Sequence, residues 1–350
     1  MEVSKDRTNK LVSGLSSVLT GTLVINCMGL LFNPLVVRIL GAEEYGRFAF
    51  YFTLINLLSL IALLGTPESL RKHLGEHRGD EKHIASFGIG VVLVLFIAII
   101  IPFYVILSYF NSYKLGIDIS VIVILSAVLF KNLSKSIRSV LFGLYYEKTA
   151  EAIKIIERFA YYFGALIVAY VGFGSEKIVF WYVVTTIFAF LAGFLIVKNK
   201  LFLSLSNFIS GLKLYGRSLT FFGSLALITS VFIELQMQFD IILLQYFKGS
   251  YATGIYNGVF VISHFFWIVG FMSNKLFLHN ISDMYSNRKI QQINEYASIA
   301  VKYLTVSLVF LGLITVLLSE ELLGLYYGDE FIQAALALKL VVIGSVAAAI

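Results

Sequence analysis

Three cations sit in a stretch that otherwise reads as hydrocarbon. Lys131, Lys135 and Arg138 are spaced i, i+4, i+7 in an apolar run. At 100° per residue they share an arc of about 60° on one helix face. An unpaired Lys or Arg at a bilayer centre costs about 2.5–3.5 kcal/mol on insertion scales, so the three should face a wet cavity or a partner. The next apolar run adds Glu151, Lys154, Glu157 and Arg158, and Glu151 and Lys154 have the i, i+3 spacing of a helical ion pair. Five cations against two carboxylates leave the cluster at +3. A cationic cavity suits an anionic ligand such as a phosphate or diphosphate headgroup, whose oxygens accept charge-assisted hydrogen bonds. The competing reading is snorkelling to the interface with local ion pairs, and Arg138, Lys154 and Arg158 stand near enough to the ends of their runs for it.

Other stretches offer weaker chemistry. Glu234, Gln236, Gln238 and Asp240 lie together in a later apolar run. A carboxylate there could bind a proton or Na⁺ and couple transport. Glu234 and Asp240 are six residues apart, about 120° around a helix, so they cannot form one site alone. Asp240 could equally be a structural partner for a cation of the other half. His73, Glu76 and His77 match H-x-x-E-H, an inverted zinc-protease motif. Gly75 interrupts it and the surrounding connector is short and charged, so it reads as a solvated loop. His264 and His279 are isolated and read as packing residues. The chain contains neither G-x-x-x-x-G-K-[ST] nor G-x-S-x-G. The reading is therefore of a protein that is not an enzyme, with no catalytic residue, metal site or cofactor.

The elements that must position these residues follow from composition. Hydrophobic residues make up 59% of the 350 and charged residues 14%, with a mean hydropathy of +0.87. Soluble domains are about 45–50% apolar and about 25% charged, so this chain faces lipid. Ten apolar runs approach the roughly 20 residues of a span: 12–39, 48–70, 85–110, 118–143, 149–172, 178–197, 218–246, 253–279, 295–318 and 331–350. They do not alternate with the period of two that a β-barrel requires. Only three prolines interrupt them. The single cysteine, Cys27, can form no internal disulfide. Lys5, Arg7 and Lys10 before the first run imitate a signal peptide, but the run is too long for an h-region and is read as a retained span.

Assigning the loops alternately to two sides sorts the charges. One side carries Lys5, Arg7, Lys10, Arg71, Lys72, Arg78, Lys82, Lys148, Lys198, Lys200, Lys213, Arg217, Arg288 and Lys289, fourteen in all; the other carries Arg47, Lys114, Lys177 and Lys248. Basic loops stay in the cytoplasm, which puts the N-terminus there in a multi-pass protein of the cell membrane. The net charge of +6 is mainly this bias, and no nucleic-acid partner is expected.

The chain also repeats itself. A shift of 208 carries Gly41 onto Gly249, Gly46 onto Gly254 and Phe48 onto Tyr256. Two corners at one offset predict two similar halves. Six spans per half is an even number, so the halves are parallel repeats around a central cavity. The expected organisation is a six-helix lobe over 1–200, a cytoplasmic linker over 201–217 that reads as an interfacial helix or a plain loop, and a second lobe over 218–350. That second lobe has four spans, and the sequence is read as stopping short of its last ones. No loop exceeds about 20 residues, so neither side has room for a soluble catalytic domain.

Four motifs carry a resemblance. Arg38, Gly41, Gly46 and Phe48 form the corner after the first span. The stretch LGTPESLR from Leu64 to Arg71 leaves the second. Asp240 is followed by Gly249, Gly254 and Tyr256, and Leu325, Tyr326, Tyr327 and Gly328 precede the tenth. Together they resemble the Wzx-type polysaccharide and O-antigen flippases of the multidrug/oligosaccharidyl-lipid/polysaccharide exporter superfamily. The likeness implies an all-α polytopic membrane fold of two lobes, MATE-like, with the second lobe incomplete here. It implies flipping of an anionic polyprenyl-diphosphate-linked oligosaccharide to the outer leaflet of the bilayer for polysaccharide biosynthesis. H⁺ or Na⁺ would be the coupling ion, and glycan polymerase or export machinery the partner. Substrate contacts would fall to Lys131, Lys135, Arg138, Lys154 and Arg158, and ion coupling to Asp240 and Glu234. Two other readings compete: a multidrug exporter of the same superfamily, whose cavity should be acidic, and a membrane enzyme acting on polyprenyl-linked sugars, which the short loops oppose.

Overall fold

The computed structural model describes residues 2–111, 119–201, 203–286 and 290–349, with side chains from Thr20 onward apart from 107–111 and parts of 271–286. The side chains of Lys5, Arg7, Lys10, Lys114, Lys275, His279, Arg288 and Lys289, and the terminal Ile350, lie outside the described residues.

Within the described residues each predicted run falls mainly on helix. The elements are α1 (Glu2–Leu63), α2 (Thr66–Glu76), α3 (Glu81–Asn111), α4 (Val121–Gly143), α5 (Glu147–Tyr170), α6 (Ser175–Lys200), α7 (Leu205–Ser286), α8 (Ile290–Leu317), α9 (Ser319–Tyr327), a 3-10 turn (Asp329–Ala334) and α10 (Ala335–Ala349). Among the described residues there is no strand. Among the described residues six stretches are long and apolar enough to cross a membrane: 20–63, 81–106, 175–200, 205–270, 290–317 and 329–349. The two longest are each bent into two arms. α4 and α5, at 23 and 24 residues, have the length of a span but not its composition, because they carry the charged cluster.

The bends are the two glycine corners. α1 leaves helical geometry at Gly41 (φ 76°, ψ 170°) and α7 at Gly249 (φ 80°, ψ −176°). A positive φ is open to glycine and strained for residues with a Cβ. The repeat seen in sequence is thus a repeat of backbone conformation at the same offset of 208. The second arms of the two corners also meet. A Cβ on Gly46 would lie 1.8 Å from the carbonyl oxygen of Ser250, and one on Gly254 would lie 1.9 Å from that of Ala42. Ala42 and Ser250 are themselves 208 apart. Each half therefore presents the same patch to the other, the reciprocity of a two-fold contact.

Two details differ from the sequence reading. The second run stops at Leu63, not at 70: Leu64 (φ 47°) and Gly65 (φ 66°) break the helix, the Thr66 hydroxyl donates to the Leu63 carbonyl, and Pro67 opens α2 where a missing N–H costs nothing. From Leu205 onward the 201–217 stretch is the start of α7, continuous with the seventh run. The Ser204 hydroxyl accepts from the Asn207 amide at 3.1 Å and caps that start, and no residue between 205 and 248 has a left-handed backbone.

Candidate functional site: a cationic face on α4

α4 is the centre of the first half, packed against α1, α2, α3, α5 and α6. Its small polar residues Asn132, Ser134, Ser136 and Ser139 are buried, which lets neighbouring helices approach closely. Asn132 is held by the second arm of α1: its amide donates to the Ser59 carbonyl at 3.1 Å, and the Ser59 hydroxyl donates to its side-chain oxygen. This fixes the rotation of α4 and turns its cations toward α1, α2 and α5.

Each cation meets a different neighbour. Lys131 Nζ donates to Asn56 Oδ1 on α1 at 2.5 Å. Lys135 pairs with Glu68 on α2 at 3.7 Å, with both side chains more than a third exposed. Arg138 reaches Glu157 Oε2 on α5 at 2.5 Å and Ser134 Oγ at 2.8 Å; Glu157 is buried and Arg138 partly so. Lys154 pairs with Glu151 at 3.4 Å, the local bridge expected from the spacing. The Arg158 guanidinium lies 6.0 Å from the centre of the Tyr182 ring. Arg71, counted from sequence as a loop residue, sits on α2 with Nε 3.3 Å from Ser139 Oγ and its guanidinium over Phe142. These groups feel one another: Lys131 interacts electrostatically with Arg158 and Lys135, Lys135 with Arg71 and Arg138, and Lys154 with Arg138 and Arg158. All five predicted cations thus belong to one cluster.

Sequence reasoning missed Arg71, Glu68 and Asn56 as members. A signal was present for two of them, since Glu68 and Arg71 stand i, i+3 in the exit of the second span. Nothing in the sequence marks Asn56.

The seventh run contributes unequally. Glu234 accepts from the Gln238 amide and lies within electrostatic range of Lys131 and Lys135, so a carboxylate of the second half faces the cations of the first. Asp240 is exposed and accepts from the Tyr256 hydroxyl at 2.7 Å, a partner on the other arm of α7 and not a cation of the first half. The structure does not bring Asp240 and Glu234 together as one site.

His73 is not in a solvated loop. It is buried on α2, with Nδ1 2.9 Å from its own helix at the Ser69 carbonyl and Nε2 2.8 Å from Ser218 Oγ on α7. The motif's first histidine is therefore occupied in packing α2 against α7. Among the described residues no group of His, Cys, Asp or Glu is arranged to hold a metal ion.

A cavity lies elsewhere, on the far side of α4. It holds about 500 Å³ between α3 and α4 and is lined by Phe96, Ile100, Ile101, Tyr104, Ile122, Leu125, Ser126 and Leu129. Its α4 residues fall on the opposite face of that helix from Lys131. The cavity is apolar and the cations point away from it, toward the seam between the halves.

This arrangement defines the class: an all-α, multi-pass membrane protein built from two related halves. It resembles in fold the inward-facing form of a multidrug resistance MATE family transporter of the MOP superfamily, with TM-score 0.62 over 92% of this chain and 80% of that one at 15% identity. Two structures of MATE in complex with MaL6 and with MaD3S give TM-scores of 0.59 and 0.53, each at 14% identity, over 96% and 97% of this chain and 81% of each of theirs. Residues 11–277 match the family described as polysaccharide biosynthesis protein, and the chain belongs to that family. The resemblance to Wzx-type flippases is borne out at this level. No curated protein matches the chain.

Proposed function

We propose that this chain carries an anionic, polyprenyl-diphosphate-linked oligosaccharide from the cytoplasmic to the outer leaflet of the cell membrane. Two lobes, 1–200 and 218–350, joined through 201–217, would open alternately to either side. The observation that carries this reading is the sign of the α4 face. Arg71, Lys131, Lys135, Arg138, Lys154 and Arg158 stand against Glu68, Glu151 and Glu157, a surplus of three positive charges that falls to two when Glu234 is counted. A diphosphate headgroup offers the charge and the acceptor oxygens to balance it. A transporter of cationic drugs would need the opposite sign. With Arg71 counted in the cluster, a loop bias of thirteen to four still supports a cytoplasmic N-terminus, and with it corners at Gly41 and Gly249 on the outer side. Glu234 is the carboxylate best placed for coupling to H⁺ or Na⁺, because its ionisation is felt by the lysines that would hold the substrate.

The test is the double variant K131A/K135A in cells that depend on this chain for surface glycan. Export should be lost while the protein still inserts in the membrane at its usual level. Normal export from that variant would sink the assignment.

A further inference from the structure

One turn departs from the residue type that its backbone favours. α4 ends with two hydrogen bonds, from the Tyr146 amide to the Leu141 carbonyl at 2.8 Å and from the Tyr145 amide to the Phe142 carbonyl at 3.0 Å. This 6→1, 5→2 pattern closes a helix whose first residue beyond the cap is left-handed, a position usually held by glycine. α5 ends in the same way, from Phe173 to Val168 and from Gly172 to Ala169, with Gly172 (φ 89°) at the left-handed place. At the end of α4 that place is held by Tyr145 (φ 62°). A bulky residue is strained there, and such strain points to a task for its side chain.

The side chain is open to the surroundings: Tyr145 is 62% exposed and Tyr146 40%. Each ring carries a cation from a different element. The Arg78 guanidinium lies 4.3 Å from the centre of the Tyr145 ring, and the Lys200 ammonium 4.0 Å from that of Tyr146. Arg78 also donates to the Gly143 carbonyl at the α4 end at 3.2 Å, and lies 3.9 Å from Glu81. Lys200 donates to the Tyr146 hydroxyl at 2.9 Å and has no carboxylate partner among the described residues. Asp80, the other acid of the α2–α3 connection, accepts from the Tyr215 hydroxyl of α7. These contacts gather the α2–α3 connection, the α4–α5 turn and the end of α6 at one end of the bundle. Arg71 and Lys72 lie over Phe142 and Phe222 at the same end, at 5.0 and 4.2 Å. Four cation–aromatic pairs thus stand where helix ends meet the headgroup layer. Aromatic rings settle at that level, and Lys and Arg there attract anionic lipids.

We propose that Arg78, Tyr145, Tyr146 and Lys200 bind the phosphate headgroup of an anionic lipid in the leaflet at this end. The two cations would supply the charge. The Tyr146 hydroxyl accepts from Lys200, which leaves its own proton for a phosphate oxygen, and the Tyr145 hydroxyl would donate likewise. Glycine at 145 would relax the turn, but it would remove a ring, a hydroxyl and the seat of Arg78. The lipid is a resident of its leaflet and not the cargo, so the site is separate from the Lys131 cluster and does not rest on the proposed function.

The test uses the full chain in dodecyl maltoside, with dioleoylphosphatidylglycerol and dioleoylphosphatidylcholine as probes and bound lipids counted by native mass spectrometry. The unchanged chain should prefer phosphatidylglycerol. R78Q and K200Q should each weaken its binding about five-fold and together about thirty-fold, the worth of one and of two basic residues beside anionic headgroups. Phosphatidylcholine binding should not change. Y145G should lose phosphatidylglycerol as R78Q does, yet unfold at the same temperature as the unchanged chain or higher, because the left-handed position suits glycine. Unchanged phosphatidylglycerol binding by R78Q/K200Q overturns the site. So does a Y145G that unfolds at a lower temperature and binds normally, the behaviour of a tyrosine that only packs. K131A/K135A should keep the lipid, and a loss there beside normal binding by R78Q/K200Q would move the lipid to the α4 face. Glycerol phosphate at the lipid's concentration should not displace it; displacement would make the ligand a soluble phosphate and end the lipid assignment. Size exclusion checks that each variant is folded. If R78Q is not, K200Q and Y146F are read by the same criteria.

Discussion

The corner contact makes a prediction whose size can be worked out. Gly46 is helical, so Ala there should by propensity alone stabilise by about 0.5–1 kcal/mol. The steric term opposes this. The new Cβ would lie 1.8 Å from Ser250 O and 2.7 Å from Gly254 N, whereas real Cβ atoms do not approach other atoms closer than 3.0 Å. At least about 1.2 Å must be opened between two backbones, neither of which can rotate away as a side chain would. Overpacking costs about 1–3 kcal/mol, and backbone against backbone belongs at the upper end. The steric term wins, and G46A should lose roughly 1–2 kcal/mol net. G254A should behave alike, because its Cβ would meet Ala42 O at 1.9 Å. The double variant should lose less than the sum, since one separation of the arms relieves both clashes. Gly344 on α10 has nothing within 4 Å of its Cβ position, and G344A is the control that should not lose stability. Thermal unfolding followed by the fluorescence of Trp181 and Trp267 measures all four. Wild-type stability of G46A, or strict additivity in the double variant, would refute the two-fold contact.

Three further outcomes follow from individual contacts. E157Q leaves Arg138 without its buried carboxylate and should destabilise by about 3 kcal/mol in thermal unfolding, with R138Q/E157Q recovering part of the loss. G65A combines a left-handed backbone with a Cβ 2.0 Å from Gly223 O, so it should unfold at a lower temperature than G223A, whose nearest atom is 2.6 Å away. Glu44 accepts from the Ser175 amide at 3.0 Å and its hydroxyl at 2.8 Å; E44A removes this cap from α6, should cost about 1 kcal/mol, and should speed amide exchange in the first turn of that helix.

The helices were legible because hydropathy acts over twenty residues at a time, and small errors in any one position average out. The bends were legible for the opposite reason. A left-handed backbone requires one residue type, so Gly41 and Gly249 announce themselves. The limit of the second span was misread because the strongly apolar run up to Leu64 was carried across the polar Thr66–Ser69 stretch to Leu70, while the break depends on φ at Leu64 and Gly65, which hydropathy does not see. His73 was misread because its local context, RKHLGEHRGDEKH, is that of a solvated connector. Its burial comes from Ser218, 145 residues away, and no local pattern encodes that. The cationic face of α4 was visible as a spacing, but its partition into pairs was not. Whether Lys135 meets Glu68 and Arg138 meets Glu157 depends on which helices flank α4, a matter of topology.

That partition bears on how a transporter of this design would work. Lys135, Arg138 and Lys154 each have a carboxylate from their own half, so their charges are balanced whatever the other half does. Lys131 differs. Its hydrogen-bond partner within the half is the neutral Asn56, and of the two carboxylates that act on it, Glu157 of its own half is already paired with Arg138, while Glu234 belongs to the other half. In the proposed cycle, parting the lobes on this side would carry Glu234 away and leave Lys131 only a share of Glu157, which Arg138 already neutralises, in a low-dielectric setting where an uncompensated ion costs several kcal/mol. An anionic headgroup entering the opened seam replaces what Glu234 supplied, and closing the seam forces the two negative groups together unless Glu234 takes up a proton or a cation. The charge balance of one lysine would thus tie substrate entry to ion uptake. E234Q should uncouple them: it should bind farnesyl diphosphate more tightly than the unchanged chain, because the competing carboxylate is gone, yet fail in glycan export. Weaker probe binding by E234Q would mean that Glu234 positions the substrate instead of competing with it.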